Sequence, residues 1–147
     1  MKIGFLIIGR LKSTRLPKKI LLDIHGKPVI SHMIQRLKLS TKIDTIILCT
    51  SINPQDKPLE KIAKDNDIEC FLGDPDDVLL RMLNAAEKFN LDYILTITSH
   101  IPHLIAYNLV NTSLNIQEEK QSNIVKYSAG GLRDFTRIAA SNPIMWR

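Results

Sequence analysis

Short apolar runs alternate with amphipathic, helix-length segments along this 147-residue chain, and that alternation restricts the fold more than any other feature. Four apolar runs have lengths typical of buried strands: residues 2–8, 43–49, 68–72 and 93–98. Apolar residues recur with helical spacing between them, over residues 29–39, 58–66 and 78–89. Strands that alternate with helices form parallel sheets through right-handed crossovers. We therefore predict a three-layer, Rossmann-like α/β fold, with a mostly parallel sheet and helices on both faces.

The pattern weakens toward the end of the chain. A further helix is predicted up to about residue 119, and one more strand over residues 123–127. Gly130, Gly131 and Pro143 interrupt any later pattern. We predict one α/β domain over residues 1–127 and an irregular tail over residues 128–147.

Composition excludes several classes of protein. Hydrophobic residues make up 44% of the chain, as in ordinary globular domains, and no apolar run has the roughly 20 residues of a membrane helix. No cleavable signal pattern follows Met1, so we expect a cytoplasmic protein with no membrane partner. Cys49 and Cys70 lie in apolar runs without metal-type spacing, and we expect both to be reduced and buried.

Positive charge is concentrated in one loop. The chain has a formal charge of +5, yet most lysines are spread over predicted helix faces. The exception lies within ten residues of sequence: Arg10, Lys12, Arg15, Lys18 and Lys19. Few aromatic residues are available to stack bases, so a compact polyanion is a better partner than a nucleic acid. An RNA-binding domain is favoured only by the isoelectric point near 9.3.

Residues 9–19 follow the first strand directly, where parallel sheets bind their ligands. Residues 50–56 and 98–104 follow two other strands toward the same edge. Arg offers a planar fork to phosphate oxygens, Lys a point charge, and Ser and Thr hydroxyl donors. Neither a Walker A motif nor a Gly-x-Gly-x-x-Gly motif is present. Composition alone leaves two interpretations open, a phosphate site and a solvated basic loop.

The order of residues in this loop is more specific. Arg-x-x-Ser-Thr-Arg-Leu-Pro-x-Lys begins at Arg10, and Leu-Leu-Asp-Ile-His-Gly-Lys-Pro begins at Leu21. Together with residues 73–81 and 92–98, these motifs resemble the cytidylyltransferases that activate acidic sugars, over about residues 1–105. The pattern is most similar to the spore coat polysaccharide biosynthesis protein F family, which is related to the acylneuraminate and 3-deoxy-manno-octulosonate cytidylyltransferases.

The resemblance implies a nucleotide-diphospho-sugar transferase-like fold and transfer of CMP from CTP to an acidic sugar, in surface polysaccharide biosynthesis. It implies these phosphate-binding residues, of which Arg10 and Lys19 are catalytic: Arg10, Ser13, Thr14, Arg15 and Lys19. Asp77 and Arg81 would lie near the base and ribose. Helix capping by Asp76 and Asp77, and an exposed, solvated Arg81, are the alternatives.

One departure concerns the metal. The family uses Mg²⁺, and its pattern resembles Thr-x-Asp-x-Pro, whereas this chain has His100 in the place of the Asp. A neutral imidazole is a poor Mg²⁺ ligand, so we assign no metal ligand in this chain. His100 and His103 lack a third ligand nearby and do not indicate a transition-metal site.

The tail is the other departure, because residues 128–147 resemble nothing in the remainder of the family. We expect either a truncated gene or a nucleotide-binding half kept for another use, so the acidic sugar stays unspecified. A non-catalytic nucleotide-binding or subunit-interaction module is the alternative function. A short sheet also predicts an exposed apolar flank and a homo-oligomer. Four tail residues would cover that flank or join a partner: Ile138, Ile144, Met145 and Trp146.

Overall fold

The computed structural model describes residues 2–12 and 18–98, together with the backbone of two later strands. In chain order the elements are β1 (Ile3–Ile8), β2 (Asp23–Ile24), β3 (Lys27–Pro28), α1 (Val29–Leu37), β4 (Thr45–Ser51), α2 (Pro58–Asp65), β5 (Glu69–Gly73), α3 (Val78–Lys88), β6 (Tyr93–Thr98), β7 (Lys126–Ala129) and β8 (Leu132–Ala139). Two short 3-10 turns, Lys19–Leu21 and Pro54–Asp56, precede β2 and α2.

The main sheet has the strand order β5-β4-β1-β6-β8-β7. Its first four strands are parallel, with β1 between β4 and β6. β8 pairs antiparallel with β6, and β7 pairs antiparallel with β8. The predicted fold class is therefore confirmed. Chain order runs outward from β1 through β4 to β5 and then returns to the other side of β1. In parallel sheets, such a reversal of strand order is where ligands bind, at the carboxyl ends of the strands.

Both faces of β1 are buried, which explains why its sequence is continuously apolar. Phe5 and Ile7 lie in the larger core cluster, against residues of α1 and α2. Leu6 points to the opposite face, in a cluster that includes Met82 and Ala86 of α3. The alternation along one strand thus places one layer of helices on each face of the sheet.

A tight hairpin joins the first loop to α1. His25 and Gly26, between β2 and β3, both have positive φ, as a two-residue turn in a hairpin requires. Pro28 then precedes the first residue of α1, where its fixed φ suits the start of a helix. The helix predicted over residues 29–39 is therefore observed as α1 (Val29–Leu37).

Two carboxylates fix the amino end of β1. Asp92 Oδ2 accepts a hydrogen bond from the Lys2 backbone N–H at 2.6 Å. Asp44 Oδ2 accepts one from the Ile3 N–H, also at 2.6 Å. Charged acceptors make the stronger class of protein hydrogen bond, so the entry of the central strand is held from both neighbouring strands.

The end of the chain differs from the prediction. An irregular tail was expected beyond residue 127, yet β8 (Leu132–Ala139) pairs with β6 and extends the sheet. β7 (Lys126–Ala129) overlaps the predicted strand at residues 123–127. Gly130 and Gly131 separate two strands rather than ending the regular structure. The predicted helix before residue 119 lies outside the described residues, and the domain boundary stays a prediction.

No helix in the described part of the chain is long and apolar enough to cross a membrane. The cytoplasmic location and the homo-oligomer stay predictions.

The buried central strand should dominate stability. Ile7 is fully buried in the core, and Ile7→Ala should lower the free energy of unfolding by about 2–5 kcal/mol, because it removes apolar contacts and leaves a cavity. Ile52→Ala, at a side chain 67% exposed, is the control and should cost less than about 0.5 kcal/mol. Urea denaturation followed by circular dichroism measures both, and equal effects would contradict this packing.

Candidate functional site

Three strand exits meet at the carboxyl edge of the parallel sheet. The Gly9 N–H donates to the Cys49 carbonyl at 3.2 Å, so the exit of β1 stays beside β4. The Ile52 N–H donates to the Gly73 carbonyl at 3.1 Å and joins the exits of β4 and β5 in the same way. Two of the three loops that the sequence placed at one edge, residues 9–19 and 50–56, thus start from neighbouring strands, while residues 99–104 lie outside the described residues.

A buried carboxylate that the sequence analysis did not single out holds the first loop. Asp56 is fully buried, and its Oδ1 accepts a hydrogen bond from the Leu11 N–H at 2.7 Å. Its Oδ2 accepts from the Ser51 hydroxyl. Burying a carboxylate is costly unless its oxygens are hydrogen-bonded, and both are. Asp56 therefore links the exits of β1 and β4.

The basic loop leaves and returns beside Leu11. The Lys18 N–H donates to the Leu11 carbonyl at 3.4 Å, and Lys18 has a left-handed φ of 54°. Lys19 then begins a 3-10 turn and is half-buried. Three predicted phosphate-binding residues, Ser13, Thr14 and Arg15, lie outside the described residues.

Arg10 points from the β1 exit to the turn after β5. Its Nη1 donates to the Pro75 carbonyl and lies 3.9 Å from Asp76 Oδ1. The Asp76 side chain is 94% exposed, so this ion pair contributes little to stability. Both contacts use Nη1, and a guanidinium has five N–H donors in all.

The acidic turn after β5 is ordered by its own carboxylates. Asp74 Oδ1 accepts backbone hydrogen bonds from Asp76 at 2.8 Å and Asp77 at 2.7 Å. These hydrogen bonds hold the pKa of Asp74 below its ordinary value. Asp77 is the N-cap of α3, since its Oδ1 accepts from the Leu80 N–H at 2.9 Å. Capping is therefore confirmed for Asp77, but the expectation that Asp76 also caps the helix is wrong.

Arg81 is the clearest correction to the sequence analysis. The alternative of an exposed, solvated arginine is wrong, because this side chain is fully buried. Its Nη1 donates to the Asp74 carbonyl at 2.6 Å, while Nε has no hydrogen-bond partner among the described residues. A Cβ on Gly73 would lie 2.7 Å from Arg81 Cγ, so the guanidinium stem packs against a residue that must be small. Arg81 thus holds the backbone of the acidic turn from its buried side.

The two cysteines do not act as nucleophiles at this edge. Burial raises the pKa of the Cys49 thiol to about 12 and that of Cys70 to about 11. Thiols with such high pKa values are almost entirely protonated at neutral pH and therefore unreactive. Both are free, as expected, but Cys70 is half-buried rather than buried.

The described residues near this edge include several carboxylates, and Mg²⁺ commonly takes one or two of these together with substrate phosphates. The described residues include no group of three or more carboxylate, His or Cys side chains that could hold a metal ion. Asp74 and Asp77 each use one oxygen for backbone hydrogen bonds in the turn. His100 and His103 lie outside the described residues.

A cleft of about 350 Å³ lies elsewhere, at the amino ends of β4 and β5, with Asp44 and Glu69 in its lining. The lining of this cleft includes no residue of the predicted loops 9–19, 50–56 and 98–104. Ligands of parallel sheets bind at the carboxyl ends of the strands, so we place the candidate site at the loops and not at this cleft.

The geometry brings together part of the predicted set. Arg10, Asp77 and Arg81 converge on the turn after β5, and Lys19 follows the loop that starts beside them. Asp56 was missed, although it belongs to the second of the three loops predicted at this edge. The available signal was a polar pair, Ser51 and Asp56, on either side of Pro54 and just before a helix beginning with Pro58.

Solved structures share this architecture. A cytidylyltransferase from Leptospira borgpetersenii serovar Hardjo-bovis superposes with a TM-score of 0.85 and 29% identity, over 96% of this chain and 61% of that one. A CMP:2-keto-3-deoxy-manno-octonic acid synthetase complexed with CTP superposes with a TM-score of 0.72 and 20% identity, over 97% of this chain and 67% of that one. The class is thus the nucleotidyltransferase-like α/β fold.

Curated relatives match over shorter stretches. A 3-deoxy-manno-octulosonate cytidylyltransferase of Psychrobacter cryohalolentis is 40% identical over 65 residues, 44% of this chain and 23% of that protein. A cyclohexadienyl dehydrogenase of Zymomonas mobilis is 45% identical over 65 residues, 44% of this chain and 22% of its own length. The chain spans less than half the length of the curated relatives it matches. The second match covers only 22% of the dehydrogenase, whose named activity therefore belongs to that protein.

The model of the cytidylyltransferase family matches residues 5–145, and the chain belongs to that family. The resemblance drawn from the sequence is therefore confirmed at the level of the family, and its extent is corrected. It was expected to end near residue 105, but the match continues through the strands β7 and β8. Those strands carry no distinctive motif, which is why the sequence alone did not reveal the resemblance there.

The cap of α3 gives a direct test of the acidic turn. Asp77→Ala removes the acceptor for the Leu80 N–H and should lower the free energy of unfolding by about 0.5–2 kcal/mol. Asp76→Ala, at a neighbouring exposed carboxylate, should cost less than about 0.5 kcal/mol. Urea titration of the two variants at pH 7 measures the difference, and equal losses would contradict the assignment of the cap.

Proposed function

We propose that the chain binds CTP at the carboxyl edge of the sheet, with the triphosphate held by residues 10–19. The observation that carries the proposal is the convergence of this loop with the turn after β5, through Arg10 and the Pro75 carbonyl. Four cationic residues of this loop lie in the described part of the chain, Arg10, Lys12, Lys18 and Lys19, and Arg15 belongs to the same loop in the sequence. Anions bind well where several charged donors are fixed in advance, because little has to reorganise.

Each predicted residue has a role in this proposal. Arg10 and Lys19 would neutralise the charge that develops on the leaving pyrophosphate, as catalytic residues. Arg15 would bind a phosphate through two parallel N–H donors, while Ser13 and Thr14 add hydroxyl donors. The remaining donors of the Arg10 guanidinium can reach a phosphate while Nη1 keeps its contact with Pro75.

The base and ribose would lie against the turn that Asp77 and Arg81 support. Asp77 caps α3 and Arg81 is buried, so both would affect nucleotide binding by fixing the position of this turn. The names of two similar proteins support cytidine as the base: a CMP:2-keto-3-deoxy-manno-octonic acid synthetase complexed with CTP, and a 3-deoxy-manno-octulosonate cytidylyltransferase.

The proposed reaction transfers CMP to a sugar acid in surface polysaccharide biosynthesis, in the cytoplasm. A sugar hydroxyl attacks the α-phosphate of CTP, an oxygen–phosphorus bond forms, and pyrophosphate leaves with the electrons of the broken bond. The hydroxyl proton passes to solvent. Mg²⁺ would screen the phosphates in such a transfer. A spore coat role and a homo-oligomer are further parts of this proposal.

Calorimetry with CTP, UTP, ATP and GTP tests the nucleotide site directly. Arg15→Ala should weaken CTP binding about 10- to 100-fold, because it removes a bidentate contact worth about 1.5–3 kcal/mol. Lys64→Ala, at an exposed position near the end of α2, removes the same charge far from the loop and should change affinity less than about twofold. Unchanged affinity in a folded Arg15→Ala protein would show that the loop is not the site.

A separate prediction concerns His100. If His100 replaces a carboxylate that binds the metal, Mg²⁺ should add little to CTP binding beyond its pairing with free nucleotide. His100→Asp should then strengthen Mg²⁺-dependent binding, because a hard oxygen ligand returns beside the phosphates. Calorimetry with and without Mg²⁺ measures the change, and His103→Asp is the matched control.

A pyrophosphate-release assay separates the enzyme from the alternative, a non-catalytic nucleotide-binding module. Release from CTP and 3-deoxy-manno-octulosonate by the unmodified chain supports the transferase. CTP binding without release, in both the unmodified and the His100→Asp protein, would favour the module.

A further inference from the structure

We propose that Asp56 is the positioning residue of the nucleotide loop. Its carboxylate holds Leu11 in place, and thereby sets the geometry in which the basic residues meet a triphosphate. The consequence for nucleotide affinity rests on the proposed function, whereas the anchoring of the loop does not.

Leu11 is the point where the loop is fixed. Its side chain is 5% exposed and packs in the larger core cluster. Its N–H donates to Asp56 Oδ1 at 2.7 Å, and its carbonyl accepts from the Lys18 N–H at 3.4 Å. Both ends of the segment 12–17 therefore depend on one residue. A displacement of Leu11 would move Arg10 on one side and Lys18 on the other.

Asp56 can fix Leu11 because it is itself fixed. It is fully buried at the end of the 3-10 turn Pro54–Asp56, and its second oxygen accepts from the Ser51 hydroxyl at the end of β4. Ser51 Oγ also accepts from the Asn53 N–H at 3.2 Å. The end of β4 thus fixes the exit of β1 through the side chains of Ser51 and Asp56.

The hydrogen bond between Asp56 and Leu11 predicts that removal of Asp56 lowers CTP affinity, although no phosphate-binding residue is removed. In Asp56→Ala the Leu11 N–H loses its acceptor, the start of the loop is freed, and CTP must order it on binding. Ordering a loop during binding reduces affinity, because the entropy is lost at that step. We expect CTP affinity to fall at least about 10-fold, roughly 1.4 kcal/mol of binding free energy.

The chain provides a matched control at the opposite end of the same strand. Asp44 Oδ2 accepts from the Ile3 N–H at 2.6 Å, so it is also a carboxylate that holds a backbone amide of β1. Asp44→Ala should reduce stability by a similar mechanism but leave CTP affinity within about twofold, since the residue lies at the edge away from the loop.

Two milder variants keep the test valid if Asp56→Ala fails to fold. Asp56→Asn retains an acceptor for Leu11 and should keep CTP affinity within about threefold, since only the charge is lost. Ser51→Ala removes one hydrogen bond from the carboxylate and should lower affinity about two- to fivefold. A purely structural role would make affinity follow stability across all these variants.

Calorimetry with CTP is combined with hydrogen exchange of the Leu11 and Lys18 amides, at a temperature where each variant is folded. The proposal expects lower CTP affinity and lost protection at both amides in Asp56→Ala, and neither change in Asp44→Ala. Unchanged protection in a folded Asp56→Ala protein overturns it, as does an equal loss of affinity in Asp44→Ala. If Asp56→Ala does not fold, unchanged Leu11 protection in Ser51→Ala overturns it.

The two proposals fail in different ways. If the unmodified chain binds no nucleotide, the proposed function is wrong, and exchange at Leu11 and Lys18 still decides whether Asp56 anchors the loop. If the unmodified chain binds CTP but Asp56→Ala binds it equally well, the nucleotide site stands and the positioning role is wrong.

Discussion

The hydrogen bond between the Asp56 carboxylate and the Leu11 amide joins two neighbouring strand exits in a place that water does not reach. A carboxylate in such surroundings needs a hydrogen-bond donor for each oxygen, and the Leu11 amide and the Ser51 hydroxyl are those donors. The geometry of each loop therefore depends on the other. A single strand exit could move with its own loop, but two exits joined through a buried charge cannot move independently.

The turn after β5 has the opposite arrangement, with a buried cation beneath exposed carboxylates. Arg81 contacts the turn through the Asp74 carbonyl, and Asp74 in turn accepts two backbone amides. Main-chain hydrogen bonds hold this acidic segment in shape, so its negative charges need no counter-ion to stay in place. Arg10 meets it through a weak, exposed ion pair with Asp76, which an incoming phosphate can replace at little cost.

Much of this architecture followed from the sequence, and the reasons are specific. β6 (Tyr93–Thr98) was predicted with its observed ends, because an apolar run between polar turns has few other structures available. The burial of Asp56 and Arg81 was not predicted, since burial of a polar side chain depends on which distant backbone groups contact it. The strand β8 was missed for a similar reason. It extends the sheet by pairing with the backbone of β6, and such pairing leaves little trace in the sequence.

The central place of β1 also has a consequence for biosynthesis. On one side β1 pairs with β4, as in the register Gly4↔Thr45, but its other partner, β6, comes about 90 residues after it. At roughly 5–20 residues per second, a ribosome needs about 2–10 s to advance from the end of β4 to the end of β6. During that interval one edge of the most apolar strand of the nascent chain has no partner in the sheet, and such edges promote aggregation. The edge of β1 that faces β6 therefore gains its partner only when β6 is inserted into the sheet.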